Sequence, residues 1–286
     1  MNLCYDLTLY LCYFLSPKQI IYLSFTNKKL YFLLKKIISH NKDKYIAIKS
    51  VYNDITNAMR LKCKYNIIKY MITSEFFDIN YLDIYQETPL YNACIFNDYN
   101  IIYLLLSEKK LEINKPCINQ QTCLWISCGY NNTKIVELLL KNKNINVNLS
   151  NDENITPLHL CSKFGNHYIV YLLLNNKNIN YNLKDNYGNT ALYYACYKNN
   201  FEIVDLLLDF PDINVNEKCN NDITALLISC LNNNFEIVDL LLSKNKNIDI
   251  NIRPTYGIYE NLSPLYIAFK NSNLKIVSVL KKYKKN

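Results

Sequence analysis

The stretch TPLHLCS, residues 156–162, is one of five segments spaced 34 residues apart: TPLYNAC (88–94), TCLWISC (122–128), TPLHLCS, TALYYAC (190–196) and TALLISC (224–230). A sixth, SPLYIAF (263–269), follows after 39. Thirteen residues after each start lies a second segment: IIYLLL (101), IVELLL (135), IVYLLL (169), IVDLLL (203), IVDLLL (237) and IVSVLK (276). LEIN, INVN, INYN, INVN and IDIN lie between the units. A period of this size sets the fold before any local propensity is weighed. The leading Thr or Ser suits a helix N-cap, and Pro at the next position suits the first turn. No unit can bury its leucine triplet alone, so the units must stack. Leu206 is among the leucines expected between repeats, where truncation to alanine costs ~2–5 kcal/mol.

The motif and the period together resemble the ankyrin repeat, from about Thr88 to Leu280. The resemblance implies an all-α repeat solenoid in which each unit has a helix, a turn, a second helix and a β-hairpin finger. DNYGNT (185–190) has the family's finger turn complete, and Gln, Asn or Asp stands where Gly188 does in the other units. The turn between the two helices wants left-handed backbone. Asn97, Asn131, Gly165, Asn199 and Asn233 fill it, and Asn is the best substitute for Gly. That is how an ankyrin array can be built with four glycines. The last triplet reads Val279, Leu280, Lys281 before Lys282, a polar C-terminal cap. Upstream, YNIIKYMITSEFFDIN (65–80) reads as a second helix and finger without a good first helix. The expected organisation is therefore a helical module over 1–40, a linker and degenerate first repeat over 41–83, and six repeats over 84–286.

The family's ligands usually lie along finger tips and the exposed side of the first helix. Carried onto this chain, those positions are Phe96, Tyr130, Phe164 and Tyr197 on the helices, and Tyr85, Tyr187 and Tyr259 at the tips. Aromatic side chains anchor interfaces because they bury much area at little entropic cost. The one long interval places five extra residues in 248–264, expected to carry Arg253, Tyr256 and Tyr259 toward the binding side.

Little in the chain reads as catalysis. Cys94, Cys128, Cys196 and Cys230 share one repeat position, with Ser162 and Phe269 in the other two. Stacked repeats sit ~10 Å apart, too far for shared metal coordination, so these thiols read as small apolar core residues. His159 is the His of the TPLH motif, expected to make structural hydrogen bonds. No nucleophile–His set, HExxH or phosphate-binding Gly loop occurs, so neither an enzyme nor a metal or cofactor is expected.

The opening, Leu3 to Leu34, is unlike the rest. It divides at Ser16-Pro17, and Leu3, Leu7, Leu11, Phe14 and Leu15 share one helical face. Asp6 interrupts the apolar run and no cationic start or small-residue cleavage site is present, which argues against a signal peptide. The pattern resembles the F-box. Its family positions fall on Leu3, Cys4, Leu7, Leu15, Pro17 and Ile20, with Thr26, Asn27 and Lys28 at the hinge, and Leu11 lies on the same apolar face. Cys4 replaces the usual Pro and Gln19 the usual acid. The resemblance implies docking to the small adaptor subunit of a cullin-RING ubiquitin ligase, with the repeats capturing its substrate. A helical cap for the array, in a plain ankyrin scaffold, is the other reading of these residues.

The net charge of +8 is concentrated at the lysine-rich ends. These read as solubilising, so neither nucleic acid nor a membrane is an expected partner. No run of more than 18 residues is free of charge, and the longest, Pro116 to Thr133, is broken by Asn, Gln and Thr. The odd count of eleven cysteines, with no CxxC pair, argues against a disulfide framework and for an intracellular location, cytoplasmic or nuclear.

Overall fold

The structure, a computed structural model, describes residues 55–60, 65–73 and 77–284. Leu3, Cys4, Leu7, Leu11, Leu15, Pro17 and Ile20 lie outside them. The described residues form two compact units that divide between Ile118 and Asn119.

The first unit holds α1 (Ile55–Arg60), α2 (Tyr65–Thr73), α3 (Pro89–Ile95) and α4 (Tyr99–Leu106). α1 packs on α3 and α2 on α4, so a six-residue first helix is present where the sequence pattern shows none clearly. The second unit holds five helix pairs. They are α5 (Cys123–Gly129) with α6 (Thr133–Leu140), α7 (Pro157–Phe164) with α8 (His167–Leu174) and α9 (Ala191–Tyr197) with α10 (Phe201–Leu208). The last two are α11 (Ala225–Leu231) with α12 (Phe235–Lys244), and α13 (Pro264–Lys270) with α14 (Leu274–Tyr283). First helices stack on first helices and second on second along the unit.

Each first helix starts where its motif does. The hydroxyls of Thr88, Thr122, Thr156, Thr190, Thr224 and Ser263 accept the N–H three residues on, which satisfies a donor the helix leaves open. The turn between helices is left-handed in each of the six repeats from Thr88 on. Asn97, Asn131, Gly165, Asn199, Asn233 and Ser272 have φ from 55° to 82°. The finger tips use the same conformation at Gln86, Gln120, Asn154, Gly188, Asp222 and Asn261, with φ from 56° to 78°.

The fingers differ from the expected hairpins: no strand is present among the described residues. The first five are tight turns of two forms, and the last is longer, closed by the Asn261 N–H donating to the Pro254 carbonyl. Where Asp83, Asn151 or Asp185 opens the finger, its side chain accepts the N–H groups two and four residues on and closes the turn. A thiol is a poor acceptor, and where Cys117 or Cys219 stands instead, two consecutive left-handed residues make the turn, Asn119–Gln120 and Asn221–Asp222.

A ladder of Asn side chains joins successive repeats. In the first unit Asn80 donates to the Lys110 carbonyl and accepts the Glu112 N–H. In the second, Asn148, Asn182 and Asn216 do the same to Asn178 and Asn180, to Asp212 and Asn214, and to Asn247 and Asp249. The partners of Asn216 stand 31 and 33 residues on, those of Asn182 30 and 32. One of the five extra residues therefore precedes Ile248, where α12 runs to Lys244, and only four lie in the final finger.

Burial corrects one expectation. Leu206 is half-buried, as are Leu104, Leu138, Leu172 and Leu240 at the same position. The fully buried member of each triplet is the next residue: Leu105, Leu139, Leu173, Leu207 and Leu241. In α10 the helical period puts Ile203, Val204, Leu207 and Leu208 on one inward face and turns Leu206 to its edge. Cys94, Cys128, Ser162, Cys196 and Cys230 are completely buried, and burial pushes the Cys196 and Cys230 thiols up to about 12. They are protonated and poorly nucleophilic at neutral pH. Phe269, in the last repeat, is half-exposed under the Lys281 ammonium, 4.9 Å from its ring centre.

His159 is buried and bonded at both ring nitrogens. Nδ1 accepts the Thr156 N–H at 3.1 Å, so Nε2 carries the proton and donates to the Leu183 carbonyl at 2.9 Å. Burial lowers its pKa below the ordinary 6.5. The unfolded chain therefore binds a proton that the folded chain refuses once pH falls below about 6.5. Stability should be full above that pH and decline between it and the lower folded value. His159→Leu, the residue Leu227 supplies at this position, should flatten that decline. Urea midpoints at pH 7.5 and 5.5 test it, and a wild-type protein with no pH slope there would contradict the buried neutral ring.

Candidate protein-binding face

Successive first helices of the second unit end in exposed aromatics. Tyr130 is the C-cap of α5, Phe164 the last residue of α7, and Tyr197 the last of α9. They are 46–60% exposed, and because α5, α7 and α9 stack in order, the three lie along one edge at roughly the spacing of packed helices, ~10 Å. Around Tyr197 the surface is most developed. Its ring stacks on Tyr193 with centroids 6.2 Å apart and planes 1° from parallel, and Lys198 Nζ lies 5.0 Å over it. Burial raises the Tyr193 hydroxyl to about 12, and half-buried Tyr259 is near enough to contribute. Next along the edge, Lys163 Nζ stands 5.5 Å over the ring of Tyr194.

The tips differ among themselves. Tyr187 projects from the finger before α9, 61% exposed. Its finger is held by the buried Asp185 carboxylate, which accepts the Tyr194 hydroxyl at 2.5 Å and the Asn189 amide at 3.1 Å. Tyr259 sits in the long last finger, which is tied back by Thr255, whose N–H and hydroxyl both donate to Asp222. Arg253 and Tyr256 are exposed on that finger. In the first unit Tyr85 is occupied, since the Arg60 guanidinium stacks on it at 4.4 Å while pairing with Asp83 and Glu87. Phe96 caps α3 and is half-exposed. The second unit thus gathers Tyr130, Phe164 and Tyr197 in one row, with Tyr193 stacked beside its end.

Two features escape a reading by motif position. Lys163 and Lys198 intersperse the aromatic row with charge, and the terminal ladder residue Asn251 stands beside Arg253. An Asn recurring in each INxN segment is the signal for the second.

The arrangement offers flat, exposed π-surface on rigid helices, with protonated buried thiols and no group of His, Cys, Asp or Glu placed to hold a metal among the described residues. A surface of this kind is suited to recognising another macromolecule by burial. The family model for ankyrin repeats in three copies matches residues 55–151, 124–219, 177–254 and 211–286, and the chain belongs to the ankyrin-repeat family. Among solved structures it is similar to an ankyrin repeat domain from Acinetobacter baumannii AYE. The identity is 25% and the TM-score 0.61, over 68% of this chain and 97% of that one. None of the curated proteins matches. Ankyrin repeats are protein–protein interaction modules and generally serve as binding scaffolds without catalysis. No helix among the described residues is long and apolar enough to cross a membrane.

Proposed function

We propose that the chain is a substrate-recruiting receptor: the repeats hold a protein through the aromatic row, and the N-terminal segment docks the adaptor subunit of a cullin-RING ubiquitin ligase. The row of Tyr130, Phe164 and Tyr197 on stacked helices carries the first half. Exposed aromatics that are already fixed in place lose little entropy on binding, and truncating such an anchor costs about 2 kcal/mol or more. The F-box-like pattern of Leu3, Leu7, Leu11, Leu15 and Pro17 supports the second half. The receptor contributes proximity and orientation, and no catalytic group.

One pull-down from a eukaryotic lysate separates the halves. Leu7→Asp with Leu11→Asp should lose the adaptor and keep the proteins held by the repeats. Tyr130→Ala with Phe164→Ala and Tyr197→Ala should do the reverse. If the first variant keeps the adaptor, or the wild type never captures it, the chain is a plain ankyrin scaffold. If the aromatic variant loses nothing, the binding face lies elsewhere.

A further inference from the structure

At the far end of the second unit the Asn ladder stops with both of its valences open. Asn182 and Asn216 each donate to a main-chain carbonyl and accept a main-chain N–H from the following finger. Counting on from the partners of Asn216, the next ladder residue is Asn251. No finger follows it among the described residues, and its side-chain amide is exposed and unbonded there. A cavity of about 100 Å³ opens beside it. Ile250, Leu265 and Leu280 give it apolar walls, and Arg253 and Lys284 are at its margin. Ser263 completes the lining. Its hydroxyl oxygen caps α13, which leaves the hydroxyl proton to donate.

The two cations have no carboxylate within ion-pair distance among the described residues, unlike Arg60, Lys184 or Lys244. The chain has two arginines, and the other is held by Asp83 and Glu87. Asp249, two residues from Asn251, already accepts the Asn251 N–H and is not part of the lining. A guanidinium left unpaired beside an apolar hollow favours a planar anion that it can bind through two parallel hydrogen bonds.

We propose that this cavity captures the C-terminal residue of a partner's peptide chain, one with a small aliphatic side chain. The final residue of a chain alone carries a carboxylate and an aliphatic group on the same carbon, as an apolar hollow with a cationic margin requires. Asn251 would then do for the peptide what Asn216 does for the next finger: donate to its carbonyl and accept its N–H. Inorganic phosphate satisfies the cations and leaves the walls bare. An internal Asp or Glu brings its apolar neighbour from a separate residue.

The test uses the full-length protein and N-acetyl-leucine, followed by NMR shifts of the Leu265 and Leu280 methyl groups. Saturable shifts are expected with a dissociation constant on the order of 1 mM, the range open to so small a ligand. N-acetyl-leucinamide, lacking the charge, and acetate, lacking the side chain, should each bind at least about tenfold more weakly. Arg253→Gln, an exposed change, should weaken N-acetyl-leucine to the same degree, and Lys284→Gln supplies a second variant. Tyr197→Ala should change nothing here, which keeps this result separate from that of the aromatic row. Equal binding of the amide or of acetate, competition by inorganic phosphate at equal concentration, or shifts that never saturate would each overturn the proposal.

Discussion

Leu207→Ala is expected to destabilise the second unit by ~2–5 kcal/mol, read from the urea midpoint. Leu207 is completely buried in the last turn of α10, which packs between α8 and α12. Both neighbouring helices are fixed by their own first helices, so they cannot close over the hole, and the cavity persists. A loss of this size is a large part of the 5–15 kcal/mol that holds a typical domain together. In a stacked array it is also a loss of coupling. The unfolding transition should broaden as repeats on either side of the weakened interface begin to melt apart. Leu206→Ala, one residue away and half-buried, should cost less than half as much. Equal midpoints for the two variants would contradict the helical face assigned to α10.

Asp185→Ala should cost about 3 kcal/mol, because it orphans several buried donors together at ~1–3 kcal/mol each, partly relieved by water. The carboxylate is 5% exposed and accepts the N–H groups of Tyr187 and Asn189, the Asn189 amide and the Tyr194 hydroxyl. Alanine leaves the tyrosine hydroxyl facing a void and opens the finger that presents Tyr187. Asp185→Asn should cost distinctly less, since Asn151 closes the corresponding turn one repeat earlier with an amide oxygen. Thermal melts of the two variants decide the point. If alanine and asparagine cost the same, the main-chain bonds of the turn hold the finger and the carboxylate is incidental.

These particulars show what can be read from the chain unaided. Helix starts and left-handed turns are legible because each is a local requirement: a hydroxyl before a helix, and an Asn or Gly where the backbone turns left-handed. Residue identity nearly determines both. The buried member of each triplet is less legible, because three adjacent leucines look alike until the phase of the helix is known. The division of finger turns into two forms depends on whether Asp185 or Cys219 opens the finger, a distinction invisible to hydrophobic periodicity. The five extra residues divide between a helix end and a loop, and only the partners of Asn216 reveal where. At the candidate face the pattern names aromatic positions but not their surroundings. Arg60 occupying Tyr85 is a tertiary fact.

The Asn ladder also bears on how the array is made. Each ladder side chain belongs to the earlier repeat, and its partners are main-chain atoms of the later one. A ribosome adding ~5–20 residues per second needs about 2–7 s for one repeat, whereas a helix pair can form in microseconds. Repeats already stacked on their predecessors therefore have an amide available when the next finger emerges, and it bonds main-chain atoms of that finger whatever the side chains are. During synthesis, assembly is expected to run from the amino end outward, with the older repeat as the template. Each repeat's composition can then drift, toward asparagine and tyrosine as in this chain, provided the backbone arrives in the right shape.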